Sequence, residues 1–208
     1  MLNLNSRLDE YADVFTLFLA QGLLDPTRVR RLYESRPRES TRIVRSELRH
    51  EKQYAMNLLY LVENGQRNPD AGLDPEWELL VDDLTSSAFM DWLETGTGLS
   101  LRQLVTDVGI YTHEDGDFIS VHKDKPNKAL TAILYVNEHW PHDGGGHYEV
   151  RRTSNPDEAP VRTIPPRAGQ FLAFPPTDRS WHAVAPVRTG GALTRLTVQL
   201  EFWFNKSR

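Results

Sequence analysis

Apolar residues in the first part of the chain recur at the spacing of an amphipathic helix. Before Gly22 they are three or four positions apart: Tyr11, Val14, Phe15, Phe18 and Leu19. This period places them on one face of a helix, and a glycine commonly ends such a helix. The pattern therefore predicts a first helix over 8–22.

Capping residues predict further helices. Asp25 followed by Pro26 fits an N-cap with proline in the first turn, which predicts a short helix to about Ser35. The stretch 42–62 is ambiguous, and its end favours helix over strand. A loop follows at 64–72, and the next helical stretch begins at Asp74-Pro75 and extends to about residue 93.

The pattern changes after residue 105. Short segments rich in Val, Ile, Tyr, Phe and Thr alternate with clusters of Gly, Pro, Asn and Asp, at 107–112, 117–122, 130–137, 147–153, 161–164, 170–174, 181–187 and 193–204. Eight short strands are typical of a double-sheet jelly roll. We predict an α+β protein forming one compact domain, in which a mainly helical part (1–105) packs on one sheet of a jelly-roll, cupin-like core (106–208).

Composition narrows the functional classes. The 208 residues include no cysteine, so thiolate metal sites, disulfides and cysteine nucleophiles are excluded, and a metal would need histidine, carboxylate or water ligands. A net charge of -5 disfavours nucleic acid as a partner. No apolar run approaches the roughly 20 residues that span a bilayer, and no signal peptide is recognisable at the start, so we expect a cytoplasmic protein without membrane association.

His122 and Asp124 are candidate metal ligands. They are two positions apart at the end of a predicted strand, so both side chains point to the same face. His182 begins a late strand 58 residues after Asp124 and could supply a third ligand. Two histidines and one carboxylate leave coordination positions open, as non-haem Fe(II) oxygenases require.

Two other interpretations remain open at this point. A His-x-Asp pair is common by chance and can be a surface hydrogen bond. The other histidines near the Gly144–Gly146 turn could form a different site, and they are His113, His139, His142 and His147.

Arg195 and Thr197 share one face of the last predicted strand, thirteen residues after His182. A guanidinium can bind a carboxylate through two parallel hydrogen bonds, and a nearby hydroxyl can add a third. This pair could hold the distal carboxylate of a 2-oxo dicarboxylic acid. The alternative is an ordinary ion pair between Arg195 and Glu201 on the sheet.

From Tyr111 to Phe204 the chain resembles the 2-oxoglutarate/Fe(II) oxygenases, in particular the branch similar to prolyl 4-hydroxylases. The motifs that carry the resemblance occur in the family's order: His122-Lys123-Asp124, the strand from Ala132 to Trp140, Gly144-Gly145-Gly146, the hairpin from Pro166 to Phe174, His182 and Arg195. Two positions depart from the family, since the glycine turn continues as His147-Tyr148 and Glu201 replaces an aromatic residue of some relatives.

The resemblance implies a double-stranded β-helix with Fe(II) as cofactor and 2-oxoglutarate and O2 as cosubstrates. It implies iron ligation by His122, Asp124 and His182. Arg195 and Tyr135 would bind the distal carboxylate of 2-oxoglutarate.

Tyr111 resembles a tyrosine that lines the family's pocket, and Thr131 is a weaker candidate. Ordinary sheet packing is the alternative role for Tyr111 and for Tyr135. Trp181, next to His182, could line the iron pocket or simply pack.

The resemblance implies hydroxylation, because chlorinating relatives replace the carboxylate at the position of Asp124 with a small residue. A small molecule such as a free amino acid is the expected substrate, in a pocket formed by Tyr111, the 113–119 loop and the helices. A prolyl residue of a peptide or protein is the first alternative. A non-catalytic cupin-like metal-binding module is the second. The oligomeric state is not predicted.

Overall fold

A computed structural model describes residues 1–38, 42–46 and 52–204. Its elements are, in order, β1 (Asp9–Ala12), β2 (Thr16–Ala20), α1 (Pro26–Glu34), β3 (Arg42–Ser46), β4 (Tyr54–Glu63), β5 (Gln66–Arg67), α2 (Pro75–Thr85), α3 (Ser87–Thr97), β6 (Val105–His113), β7 (Ile119–His122), β8 (Lys128–Tyr135), β9 (Tyr148–Val150), β10 (Arg162–Ile164), β11 (Phe171–Phe174), β12 (His182–Val184) and β13 (Arg195–Trp203). Each of the eight strands predicted after residue 105 overlaps one of the strands β6 to β13.

The helix predicted over 8–22 is wrong, and the ambiguous stretch 42–62 contains strands although its end favoured helix. The segment 8–22 forms the hairpin of β1 and β2, and 42–62 contains β3 and most of β4. β2 pairs with β11, and β4 pairs with β6. These segments are rich in Tyr, Phe, Val and Leu, which are compatible with either structure locally, so pairing with distant strands decides their conformation. The predicted division of the chain at residue 105 stays a prediction.

The predicted helix after Asp25 is confirmed as α1. The Asp25 side chain accepts a hydrogen bond from the Arg28 amide at 3.0 Å, and Pro26 occupies the first turn, where no donor is lost. The stretch opened by Asp74 is also helical, but it divides at Ser86 into α2 and α3. Ser86 accepts from the Phe89 amide at 3.2 Å and thereby caps α3.

Replacing Asp25 with alanine is expected to lower the free energy of unfolding by about 1 kcal/mol, because the amide of Arg28 loses its acceptor. Urea denaturation followed by circular dichroism measures the change. Glu34→Ala is the control, since Glu34 is an exposed residue of the same helix. Equal destabilisation by the two substitutions would contradict a capping role.

Within the described ranges the strands form one largely antiparallel curled sheet, in the order β1-β2-β11-β8-β13-β6-β4-β7-β12-β9-β10, with β3 and β5 beside β4. β4 and β7 share a single pair of residues, Tyr54 and Ile119. The rings of Tyr148 on β9 and His182 on β12 pack against Phe174 of β11, so the curled sheet brings these strands together. The arrangement matches a jelly-roll core.

Alternating residues of the sheet define an outer and an inner layer. On β13, Val198 and Leu200 join the larger apolar cluster, which also contains Trp77, Leu80 and Phe89 of α2 and α3. The inner layer is a second cluster made of Phe15, Leu17, Ile133, Tyr135, Tyr148, Val150, Ile164, Leu172 and Phe174. None of the helices in the described ranges is long and apolar enough to cross a membrane.

Candidate metal and cosubstrate site

The pairing of β7 with β12 brings two histidines together inside the barrel. His122 and His182 are direct partners in the antiparallel register, and their ring centroids are 4.1 Å apart. Asp124 follows β7, and its Oδ1 lies 3.8 Å from His122 Nε2. One ligand atom from each of the three residues lies within 4.8 Å of the others. This compact donor set of two nitrogens and one oxygen suits a divalent transition metal.

Backbone carbonyl groups orient both imidazoles. Nδ1 of His122 lies 2.8 Å from the Ser120 carbonyl oxygen, and Nδ1 of His182 lies 2.9 Å from that of Ser180. A carbonyl oxygen can only accept a hydrogen bond, so Nδ1 carries the proton in each ring. The lone pair therefore lies on Nε2, and the same hydrogen bond fixes the ring plane for metal binding.

Burial keeps both imidazoles neutral. It lowers the pKa of His182 to about 4, and it lowers the pKa of His122 well below the usual value with help from the neighbouring His182. The neutral form is the one that binds a metal. Both ligands are consequently ready for metal binding at neutral pH without the loss of a proton.

Asp124 is held by side chains of β8 and, indirectly, β13. The Thr131 hydroxyl donates to Oδ2 at 2.6 Å, and Lys128 Nζ lies 3.4 Å from Oδ1. Lys128 also forms an ion pair with Glu201 at 2.6 Å. Burial alone would raise the pKa of Asp124, but nearby positive charge, led by that of Lys128, outweighs it and holds this pKa well below its usual range.

Thr131→Val should weaken Fe(II) binding about 10-fold, because Asp124 loses the hydrogen bond that fixes its carboxylate. The substitution preserves the shape of the side chain. Anaerobic titration with Fe(II) measures the affinity, and Thr163→Val on the exposed edge of β10 is the matched control. Unchanged affinity in Thr131→Val would show that iron binding does not depend on the hydrogen bond from Thr131 to Asp124.

Within the described ranges, the other histidines do not assemble a second group of metal-ligand candidates. Among the described residues, His122, Asp124 and His182 are the only group of three potential ligands close enough to share an ion. His139 is 85% exposed beside Glu138. His113 is buried, but it faces Arg195, whose Nη1 lies 3.5 Å from its Nδ1.

Trp181, which follows Ser180 and precedes His182, lies under Lys123, whose Nζ is 4.8 Å from the centroid of the indole ring.

Arg195 is a fully buried cation at the start of β13. Its Nε donates to the Gly146 carbonyl at 2.7 Å, and its guanidinium carbon lies 5.3 Å from the ring centroid of Tyr135. Nη2 of Arg195, the hydroxyl of Tyr135 and Nε2 of His113 are buried and have no hydrogen-bond partner among the described residues. Buried polar atoms without partners are costly, so these three groups indicate a place for an anionic ligand.

The glycine turn before β9 shapes the position of Arg195. Gly146 has φ +64°, and a Cβ there would lie 3.0 Å from Cδ of Arg195. A Cβ on Gly145 would lie 1.9 Å from the Pro186 carbonyl oxygen. The turn needs glycine at both positions, because a side chain would collide with the neighbouring segment and with the arginine.

Thr197 lies between the two predicted tyrosines on the inner face. Across the strand pairs its partners are Tyr111 on β6 and Tyr135 on β8. Its hydroxyl donates to the Tyr111 carbonyl at 3.4 Å, a long hydrogen bond. Thr197, Tyr111 and Tyr135 thus share one wall with Arg195.

Two cavities that share part of their lining lie beside the metal-ligand candidates: His122 and Asp124 line both, and His182 lines the smaller. The smaller, about 100 Å³, extends inward past Thr131, Ile133 and Tyr148. The larger, about 370 Å³, opens outward along β3 and β4. Both are lined by His122, Asp124, Tyr111, Lys52, Met56, Lys128 and Glu201. The lining of the larger cavity comes mainly from strands and from the 123–125 segment. The sequence predicted instead a substrate pocket formed by Tyr111, the 113–119 loop and the helices.

The region 107–205 matches the model of the 2OG-Fe(II) oxygenase superfamily. No curated protein sequence is significantly similar to the chain.

Several solved structures share the fold. A prolyl-4-hydroxylase from Pseudomonas putida is 18% identical with a TM-score of 0.63, covering 91% of this chain and 93% of the other. A prolyl hydroxylase from Trichoplax adhaerens, in complex with a fragment of a hypoxia inducible factor, is 16% identical with a TM-score of 0.53, covering 85% and 75%. HygX from Streptomyces hygroscopicus, with nickel and 2-oxoglutarate bound, is 9% identical with a TM-score of 0.58, covering 92% and 84%.

Proposed function

Because the chain belongs to the 2-oxoglutarate- and Fe(II)-dependent oxygenase superfamily, we propose that it hydroxylates an unactivated C–H bond of a small molecule. The enzyme is a dioxygenase that uses Fe(II), 2-oxoglutarate and O2. In our proposal His122, Asp124 and His182 hold the iron, and Arg195 and Tyr135 hold the distal carboxylate of 2-oxoglutarate.

The observation that carries this assignment is the fully buried Arg195, whose Nη2 has no hydrogen-bond partner among the described residues. The Tyr135 hydroxyl has none within the described ranges either, and a carboxylate could accept from both groups. The donor set of two neutral imidazoles and one carboxylate fits Fe(II) and leaves positions for a bidentate cosubstrate. The residues therefore suit both groups.

With iron and cosubstrate bound, the overall reaction converts the substrate, 2-oxoglutarate and O2 into the hydroxylated product, succinate and CO2. The protein contributes position and exclusion of water. Arg195 fixes one end of 2-oxoglutarate, and Thr131 and Lys128 fix the carboxylate of Asp124. The rings of Phe174 and Tyr148 pack against the His182 ring, with centroids 4.8 and 5.4 Å away. They exclude water from the inner side of His182.

The test is succinate formation by purified protein supplied with Fe(II), 2-oxoglutarate and O2, with each component omitted in turn. Turnover should need all three, and a true substrate should increase it and gain one oxygen atom. No succinate under any condition, with iron bound, would favour the cupin-like metal-binding module.

Prolyl hydroxylation of a peptide or protein is the second candidate. Its support is the fold shared with the prolyl hydroxylases from Pseudomonas putida and Trichoplax adhaerens. Parallel assays with free amino acids, other small metabolites and proline-containing peptides separate the two candidates. Stimulation by the peptides alone would reject the small-molecule proposal.

A further inference from the structure

The larger cavity beside the metal-ligand candidates is the space available to a primary substrate. It has a volume of about 370 Å³, within the range of sites for small molecules. One side is apolar and aromatic and consists of Val44, Tyr54, Met56, Leu58 and Tyr60. The other side is dominated by charged residues, whose pairing decides which ligand charge the cavity accepts.

The acidic residues of this cavity are already engaged. Asp107 accepts from the Asn64 amide at 2.7 Å and from the Trp203 indole at 3.0 Å. Glu201 pairs with Lys128, and Asp124 belongs to the metal-ligand group. These three acidic residues are outnumbered in the described lining by five cationic ones, which are Arg42, Lys52, Lys123, Lys125 and Lys128, so the cavity favours an anion over a cation.

Three cationic side chains of the cavity have no ion pair with a carboxylate among the described residues. Arg42, Lys52 and Lys125 line it, and none forms an ion pair with a carboxylate of the described residues. Lys52 lines the smaller cavity as well, so it lies at the junction beside the metal-ligand candidates. Burial lowers the pKa of Lys52, because its ammonium has lost part of its hydration. An anion bound to the Lys52 ammonium would replace the water contacts that burial removes.

We propose that the primary substrate is a small organic acid with an apolar body, and that its carboxylate binds Lys52. This rests on the proposed function and narrows its substrate class. Arg42 and Lys125 add positive charge around the same anion, and the apolar side of the cavity contacts the rest of the molecule. A zwitterionic amino acid fits less well, because its ammonium would meet the excess of cationic residues in the described lining of the cavity.

Three probes with one body and different charge test the proposal: 4-phenylbutanoate, its amide and 4-phenylbutylamine. Equilibrium dialysis measures their binding to the anaerobic enzyme saturated with Fe(II) and 2-oxoglutarate. The weak visible charge-transfer band of the iron–2-oxoglutarate complex shows that the cosubstrate stays bound. The acid should bind at least about 10-fold more tightly than the amide, and the amine should bind most weakly.

Substitutions of Lys52 test whether the carboxylate of the acid probe binds there. Lys52→Met should reduce the affinity for the acid at least about 10-fold, to that of the amide, while Lys52→Arg should retain most of it. Arg45→Met is the control for long-range charge effects, because Arg45 is exposed on β3 and lines a different cavity near Asp115. It should leave the preference for the acid unchanged.

The proposal is overturned if the acid binds no better than the amide, or weaker than about 10 mM, while the charge-transfer band is intact. It is also overturned if Arg45→Met and Lys52→Met reduce binding of the acid equally. Absence of the band in the wild-type enzyme, with iron bound, would instead contradict the proposed function. The two failures are thus distinguishable.

Discussion

His122→Ala is expected to weaken Fe(II) binding by more than about 100-fold and to abolish succinate formation, because a lost ligand costs more than a lost supporting contact. The affected atom is Nε2, which the hydrogen bond from Nδ1 to Ser120 directs into the site. The visible band of the iron–2-oxoglutarate complex, recorded without O2, should disappear in the variant. Anaerobic Fe(II) titration gives the change in affinity.

The control for this substitution is His139→Ala, since His139 is 85% exposed and lies outside the metal-ligand group. It should bind iron and form succinate as the wild type does. Thermal unfolding of both metal-free variants checks that the fold is retained. A folded His122→Ala protein with normal iron affinity would remove the basis for the proposed metal site.

Local sequence carries much of the information about the metal site. His122 and Asp124 are neighbours in the chain, so the two-residue period of a strand is enough to place them on one face. The pattern offered His182 only as a candidate third ligand, and the resemblance to a family supported it, because its pairing with His122 connects residues 60 positions apart. Arg195 and Thr197 share the inner face of β13, as the alternation predicts.

The helix wrongly predicted over 8–22 has a cause that lies outside the local sequence. Between residues 8 and 22 the apolar spacing fits a helix, yet Leu19 pairs with Leu172 of β11. Hydrogen bonds to a strand more than 150 residues away outweigh the local preference, and no local pattern contains that contact. The N-cap of α1 was predictable because Asp25 and Pro26 act within one turn.

The sequence did not predict the residues that support the candidate metal site. Lys128 reaches both Asp124 and Glu201, and Glu201 is 73 positions away. Lys52 precedes β4, in a stretch whose pattern was ambiguous between helix and strand. The polar alternation of Arg195, Thr197, Gln199 and Glu201 on β13 was the available signal, since a polar inner face is unusual for a closed core.

Arg195→Met should raise the concentration of 2-oxoglutarate needed for half-saturation at least about 100-fold, because the distal carboxylate loses its positive partner and the charge-assisted hydrogen bond from Nη2. Iron affinity should change little, since Arg195 is not part of the metal-ligand group. Methionine retains much of the apolar volume of the arginine stem. Titration of the charge-transfer band measures cosubstrate binding without turnover.

A cosubstrate analogue makes the test specific for the carboxylate. 2-Oxovalerate keeps the group that chelates iron but lacks the distal carboxylate. The wild type should prefer 2-oxoglutarate to 2-oxovalerate by at least about 100-fold, and Arg195→Met should nearly abolish that preference. A variant that weakens both ligands equally would have disturbed the barrel, whereas an undiminished preference would assign the carboxylate to another cation.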